Sequence, residues 1–490
     1  MPISSPRYQP EVHHTDLGPA FYDPVAAARF PTHRLRYRNQ LWAAHVGLGE
    51  LTEAEWIDHF GRFQPLPNNL QTPLALRYHG HQFRVYNPDL GDGRGFLFAQ
   101  LRDPDDGRLL DLGTKGSGQT PWSRAGDGRL TLKGAVREVL ATTMLEALGV
   151  NTSKTFSVIE TGEHLSRNDE PSPTRSAVLV RLCHGHIRIG TFQRLAFHGD
   201  QEGLRQLLHH TVRVHYPTLS AASDTDLALA FVRAVAERCA ATTAGWMAAG
   251  FVHGVLNTDN INVTGESFDY GPYRFLPHYD PRFTAAYFDH GGLYAFGRQP
   301  TTLQWNLARL AGCLLDIAPA EGLNQALDAF QPAFEAALRQ AVLWRLNLAP
   351  TEDAEADLDA VATWFQGLLE TAVPFERAFF DWQGGAAGAD RALSRSPHAA
   401  LYRSEPFAAA RAALSRFAVA DPARQQHDYL ARDRPVTLLY DEIEALWAPI
   451  TRDDDWSHFE AKLDEIALLA AANRCGIAEN RSASNLVVAR

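Results

Sequence analysis

Near residue 200 the hydrophobic pattern of the chain changes period, and that change limits the folds open to it. Between residues 76 and 195 apolar residues come in short runs divided by Gly, Asp and Pro turns: GRGFLFAQLRD, GRLLDLGT, TFSVIETGE and SAVLVRLC. Runs of that length and content predict strands. One helical stretch interrupts them, LKGAVREVLATTMLEALGV, where Val136, Leu140, Met144 and Leu148 recur at helical spacing and Gly149 ends the pattern. From about residue 202 the spacing is helical. DLALAFVRAVAERCAATTAGWMAAG reads as a long apolar helix closed by Gly250, and TTLQWNLARLAGCLLDIAP as another. Residues 322–475 read as further helices, with GGAAGA as a flexible link. Residues 1–75 are rich in Pro, aromatics and turn formers, with one helix-like piece at Leu51–Phe60, and read as an extension wrapped around a core. The expectation is an α+β chain in four parts: the extension (1–75), a β-rich lobe with one helix (76–200), a larger helical lobe (201–350) and a C-terminal helical region (351–490).

With 490 residues, 45% of them hydrophobic, the chain can bury a large core and more than one domain. Its formal charge of −11 argues against nucleic acid as a partner, because neutralising phosphates takes Lys/Arg surfaces. Four cysteines, Cys183, Cys239, Cys313 and Cys475, lie far apart with no C-x-x-C, which excludes a disulfide framework or cysteine zinc site and suits a reducing compartment. The N-terminus MPISSPRYQPEV has no apolar or basic amphipathic targeting segment, and no stretch is apolar enough to span a membrane. The chain is expected to be a cytoplasmic monomer.

The residues that carry chemistry are each ambiguous alone. LGDGRGFLFAQ places Gly91, Gly93 and Arg94 before a strand, where glycines let backbone N–H groups approach an anion, or simply form a hairpin turn. Lys115 ends a strand-like run and is one of only four lysines among 46 basic residues. It can hold a phosphate as a point charge, or face solvent. The loop after it, dense in Gly, Ser and Thr, ends in Asp127, Gly128 and Arg129 and suits a nucleotide or a plain surface. Glu138 lies in the following helix, placed either to pair with Lys115 or to sit exposed beside Arg137 or Lys133. Arg181 and Arg188 in SAVLVRLCHGHIRIG either add two cations to a phosphate site or lie on a solvated edge. In HGVLNTDNINVTGESFDYG, Asp259 can accept a proton from an attacking hydroxyl, while Asn260 and Asp269 can offer oxygens to Mg²⁺. An Asx-rich turn explains the Asn-Thr-Asp-Asn run equally well, but not the Asp-Tyr-Gly ten residues after Asp259.

The order is more informative than any part. A Gly-rich turn, strand lysine, helix glutamate, long helix, H-G-x-x-N-x-D-N loop and D-Y-G follow the order of parts in a two-lobed protein-kinase-like fold, although the spellings depart from H-R-D and D-F-G. The residues alone leave open ordinary phosphoryl transfer by a kinase-type phosphotransferase and a catalytically silent nucleotide-binding scaffold.

GDGR, the strand lysine followed by Gly-x-Gly, TPWSRAGDGR, REVL, HGVLNTDN, DYGPYRF, DPRF and WNLARLA together resemble the selenoprotein O (YdiU) family of protein adenylyltransferases, strongly over roughly residues 75–320 and weakly in the flanks. The resemblance implies a kinase-like fold that transfers AMP from ATP to Ser, Thr or Tyr hydroxyls of proteins, with Mg²⁺ or Mn²⁺ and with ATP flipped relative to kinases. It implies that Lys115, Arg181 and Arg188 hold the phosphates, with Glu138 positioning Lys115. Gly91, Gly93, Arg94, Asp127 and Gly128 contact the nucleotide, Asp259 is the proton acceptor, and Asn260 and Asp269 bind the metal. Many family members pair a C-terminal cysteine or selenocysteine with a cysteine near the activation loop. Here the last cysteine is Cys475, the segment after Asp269 has none, and redox control is not expected.

Overall fold

The computed structural model describes residues 5–168 and 170–474. Cys475 and the tail after it lie outside the described residues. The sheet strands in chain order are β1 (Tyr22–Pro24), β2 (Arg34–Arg38) and β3 (Leu74–Leu76), then a separate hairpin of β4 (Gly80–Gln82) and β5 (Val85–Asn87). They continue with β6 (Leu97–Arg102), β7 (Leu109–Lys115), β8 (Leu130–Thr131), β9 (Lys154–Leu165) and β10 (Thr174–Cys183). Side by side the main sheet runs β1-β3-β6-β7-β10-β9-β2, with β8 also on β10, and its pairings are antiparallel. The four apolar runs read as strands form its centre, where β7 is buried at every residue. A central strand covered on both faces needs a continuous apolar run rather than alternation, and LLDLGTK is close to one.

The first 75 residues do more than wrap the core. They supply both edges of the sheet, β1 against β3 and β2 against β9, in the register Arg34↔Glu160 and Arg38↔Ser157. They also form two short helices, α1 (Gln40–His45) and α2 (Glu53–Phe60). The piece expected as a helix is α2, started by a capping box between Thr52 and Glu55. The outer strand β2 is fastened by charge. Arg36 and Arg175 both hold Glu160, each at 2.7 Å, and both reach Asp454 near the far end of the chain, at 2.8 and 2.7 Å.

The interrupting helix is α3 (Leu132–Ala147), capped by the Thr131 hydroxyl and packed on β9 and β10. Val136, Leu140 and Met144 are buried there, each side chain contributing on the order of 1.5–3 kcal/mol. After α4 (Ile189–Phe197) and α5 (Gln201–His215) comes the long helix α6 (Asp224–Ala249), capped by Ser223 and closed at Gly250 in a left-handed conformation. It packs against α7 (Gln299–Gly312), α8 (Ala320–Leu327) and α9 (Phe330–Arg345). The remaining described chain is largely helical, as expected. GGAAGA is not a flexible link: Gly385 and Gly388 are buried in a short 3-10 turn, and Gly384 N donates to Leu346 O at 2.6 Å. Among the described residues no helix is long and apolar enough to cross a membrane, and Cys183, Cys239 and Cys313 are free and buried.

Candidate functional site

Lys115 is the last residue of β7 and is buried, not solvated. Arg181 on β10 stands opposite Gly113, two residues before Lys115. Side chains alternate along strands, so Lys115 and Arg181 project from the same face of the sheet. Helix α3 crosses that face and brings in Glu138, also buried, which ion-pairs with Lys115. Asp269 closes the group from the loop after α6. Its Oδ1 lies 2.9 Å from Lys115 Nζ and 3.4 Å from Arg181 Nη1. Burial alone raises a carboxyl, but Lys115, Arg181, Arg94 and Arg188 outweigh it and hold Asp269 well below the usual carboxylate range. Asp269 has φ of +65°, a left-handed conformation that costs a non-glycine residue about 1 kcal/mol or more. Asp tolerates it better than most residues.

Arg188 precedes α4 and is equally buried. Its guanidinium donates to the Asp259 carbonyl at 2.9 Å and to Asp92 Oδ1 at 3.1 Å. The fork lies over the Tyr78 ring and near Phe268, 4.2 and 5.0 Å from the ring centroids. Phe268 also carries Arg181 at 5.3 Å, so one ring supports both guanidiniums. Burial works against the charge of each arginine. Asp269 and Glu138 overcome it at Arg181, and Tyr78, Asp92 and Asp269 at Arg188.

Asp259 sits in the 3-10 turn Thr258–Asn260. Its Oδ1 is buried without a hydrogen-bond partner among the described residues. Burial is the main reason its carboxyl is pushed up to about 6, with Arg188 opposing the shift. A buried oxygen with no donor is ready to accept a proton. Asn260 donates its amide to Val255 O at 3.0 Å, which leaves its own oxygen as the available acceptor. Asn260 and Asp269 offer two hard oxygens, a set that fits Mg²⁺ when phosphate oxygens complete the shell. Among the described residues no three His, Cys, Asp or Glu side chains gather as an all-protein metal site.

The other expected residues are placed differently. Gly91 and Gly93 pack against Trp122, and the hydroxyls of Thr120 and Ser123 bond to Asp92 O and Gly93 O. This turn is thus fastened to the loop that follows Lys115. Arg94 is exposed, without a side-chain partner among the described residues, yet its charge acts on Asp269. Asp127 is paired with Arg167 at 2.8 Å on the surface, and Gly128 lies against the Gly118 backbone. Among the described residues neither contacts the cluster. Sequence reasoning missed Asp92, Tyr78 and Phe268. Asp92 stands between the two singled-out glycines, where its charge was a usable signal; the aromatic rings gave none.

A family model described as protein adenylyltransferase SelO matches residues 2–467. The chain is similar to the protein nucleotidyltransferase YdiU of Synechocystis sp., 42% identical over 482 residues, covering 94% of this chain and 97% of that protein. It is similar to the YdiU of Gloeobacter violaceus, 43% identical with 94% of each chain covered, and to that of Trichodesmium erythraeum, 40% identical with 95% of this chain and 99% of that protein covered. The match takes in both flanks, which the sequence motifs related to the family only weakly.

Proposed function

The chain belongs to the protein adenylyltransferase SelO family and is a nucleotidyltransferase, and from that premise we propose that it transfers AMP from ATP to Ser, Thr or Tyr hydroxyls of proteins. The sheet with α3 and the helices around α6 support a two-lobed, protein-kinase-like reading, with the site between them. The observation that carries the proposal is the pair of buried arginines added to the Lys115–Glu138 ion pair. Phosphoryl transfer in kinases relies on one lysine and metal ions. A terminal phosphate buried against the sheet needs further fixed cations, and Arg181 and Arg188 supply them. ATP is then flipped, with its γ-phosphate inside and its α-phosphate toward Asp259. Asp259 takes the proton of the acceptor hydroxyl. The oxygen forms a bond to the α-phosphorus, the bond from that phosphorus to the bridging oxygen breaks, and pyrophosphate leaves. Mg²⁺ or Mn²⁺ held by Asn260 and Asp269 would neutralise phosphate charge.

The test is which phosphorus stays on protein. Label from α-labelled ATP on protein, with none from γ-labelled ATP, is the expected result. Label from γ alone makes the chain a kinase-type phosphotransferase, and ATP binding with neither label makes it a scaffold.

Asp269→Ala separates the roles of that carboxylate. Lys115 and Arg181 lose an internal competitor for phosphate, so ATP binds the variant more tightly than wild type in EDTA. The gain on adding Mg²⁺ disappears, and transfer falls by about 100-fold or more. Calorimetry with and without EDTA checks the first two effects. A variant that still responds to Mg²⁺ places the metal elsewhere.

A further inference from the structure

The hairpin β4–β5 takes no part in the phosphate cluster, yet it is fastened to the loop carrying Asp259. His81 N donates to Thr258 Oγ1 at 2.7 Å, and Phe83 N donates to Asn257 Oδ1 and the Tyr294 hydroxyl, each at 3.1 Å. Gly80 lies so close that a Cβ there would stand 2.8 Å from Asp259 Oδ1. The turn holds Phe83 and Arg84 at φ of +49° and +64°, left-handed at two adjacent non-glycine residues. Such strain persists where surrounding contacts enforce it, and it gathers at functional sites.

The surface around this hairpin is unusual for the chain. Eight large hydrophobic side chains are exposed among the described residues, and four of them lie on or beside the hairpin: Val85 within it, and Phe197, Tyr287 and Phe288 next to it. The rings are continuous with the site: Tyr287 meets Phe288 at 5.1 Å, Phe288 meets Phe83 at 5.8 Å, and Phe83 meets Tyr294 at 4.9 Å. Beside them Trp305 carries two guanidiniums, Arg84 at 5.4 Å and Arg309 at 4.9 Å from its centroid. Both arginines are exposed, and among the described residues neither forms an ion pair with a carboxylate. Most cations of this acidic chain have such a partner, so two adjacent free ones form a local positive spot beside an apolar one.

We propose that this surface seats the acceptor polypeptide, and that it selects a hydroxyl flanked by an acidic side chain, which meets Arg84 and Arg309, and by an aromatic or branched apolar side chain, which meets Val85, Tyr287 and Phe288. The identity of the hydroxyl's reaction rests on the adenylyl-transfer reading; the docking preference does not. Aromatic rings with arginines also suit single-stranded nucleic acid, but the net charge of −11 works against it at long range.

The probe is a fluorescein-labelled peptide with one Ser beside Phe and Glu, compared with counterparts carrying Lys for Glu or Gly for Phe. Fluorescence anisotropy on the full chain is expected to show the Phe/Glu peptide bound about tenfold more tightly than either, a difference of about 1.4 kcal/mol. Arg84→Asn combined with Arg309→Glu reverses the Glu-over-Lys preference, and Tyr287→Ser combined with Phe288→Ser removes the Phe-over-Gly preference. ATP affinity and melting temperature stay at wild-type values in both. Peptides bound alike by wild type, preferences unchanged in the variants, or tighter binding of oligothymidylate each overturn the proposal. Transfer from α-labelled ATP to the same peptides is read separately: the expected preferences without label keep the docking surface and reject the adenylyl-transfer reading.

Discussion

Asp259→Asn is expected to abolish transfer while raising the melting temperature of the metal-free protein. The two effects share one cause. Burial takes the Asp259 carboxyl from an ordinary value of 3.8 up to about 6, and its Oδ1 has no hydrogen-bond partner among the described residues. A folded-state value above the unfolded one means that the folded protein holds its proton more tightly. Stability therefore falls as pH rises from about 4 to about 6, and above that the full cost of the buried charge remains. Removing the charge recovers about 1–3 kcal/mol at pH 8, allowing for the new amide donor that Asn brings. Well below pH 4, Asp259 is neutral in the folded and unfolded states alike, and the two proteins melt alike. Transfer meanwhile loses the proposed proton acceptor, with an expected loss of about 100-fold or more. Scanning calorimetry at the two pH values, beside a transfer assay, checks both. Equal melting at pH 8 means that the carboxylate is stabilised by something other than the contacts described.

Arg188→Ala carries the second large effect, and it should exceed that of Arg181→Ala in stability. Arg188 bridges the Asp259 carbonyl and Asp92, so its loss leaves a buried carbonyl without that donor and the Asp92 carboxylate without its cation, its other oxygen still accepting from Leu76 N at 3.1 Å. Breaking a buried pair of this kind costs about 3–5 kcal/mol. Arg181 shares Asp269 with Lys115, and its removal leaves that carboxylate still ion-paired with Lys115 and in the field of Arg94 and Arg188. Both variants are expected to bind ATP about 10- to 100-fold more weakly, as each removes a charge-assisted phosphate contact that the proposed function assigns to it. Arg188→Lys keeps the charge but cannot span both partners, so part of the stability returns while ATP affinity stays low. Calorimetry with ATP and a melting curve for each variant decide it. Near-normal ATP binding and turnover without either arginine removes that residue from the flipped-nucleotide reading and favours the ordinary kinase reading.

The central architecture was legible because it follows from periodicity. Val136, Leu140 and Met144 at helical spacing gave α3, and LLDLGTK gave a buried strand whose last residue is Lys115. Lys115, Glu138, Arg181 and Asp269 were named from the sequence, but their burial was not readable there, since solvated and buried charges have the same letters. The edge strand β2, RLRYR, was hidden by its arginines, which look like a polar extension until Glu160 and Asp454 are placed opposite them. GGAAGA looked flexible from composition, while contacts with distant chain bury it. The hairpin β4–β5 has strands too short for any period to show. Its importance comes from Thr258 and Asn257, far along the chain.

The clasp on the outer strand has a consequence for synthesis. Arg36 leaves the ribosome early, its partner Glu160 follows 124 residues later, and Asp454 comes 418 residues after Arg36. For about a quarter of translation the backbone of β2 waits without its neighbour, and after β9 arrives with Glu160 the second carboxylate of the clasp, Asp454, is still missing until near the end. Unpaired strands of this kind recruit other chains. A premature stop before Asp454 would therefore do its damage at the opposite end of the gene, by leaving an early-made edge strand loosely held and open to nascent neighbours on the same polysome.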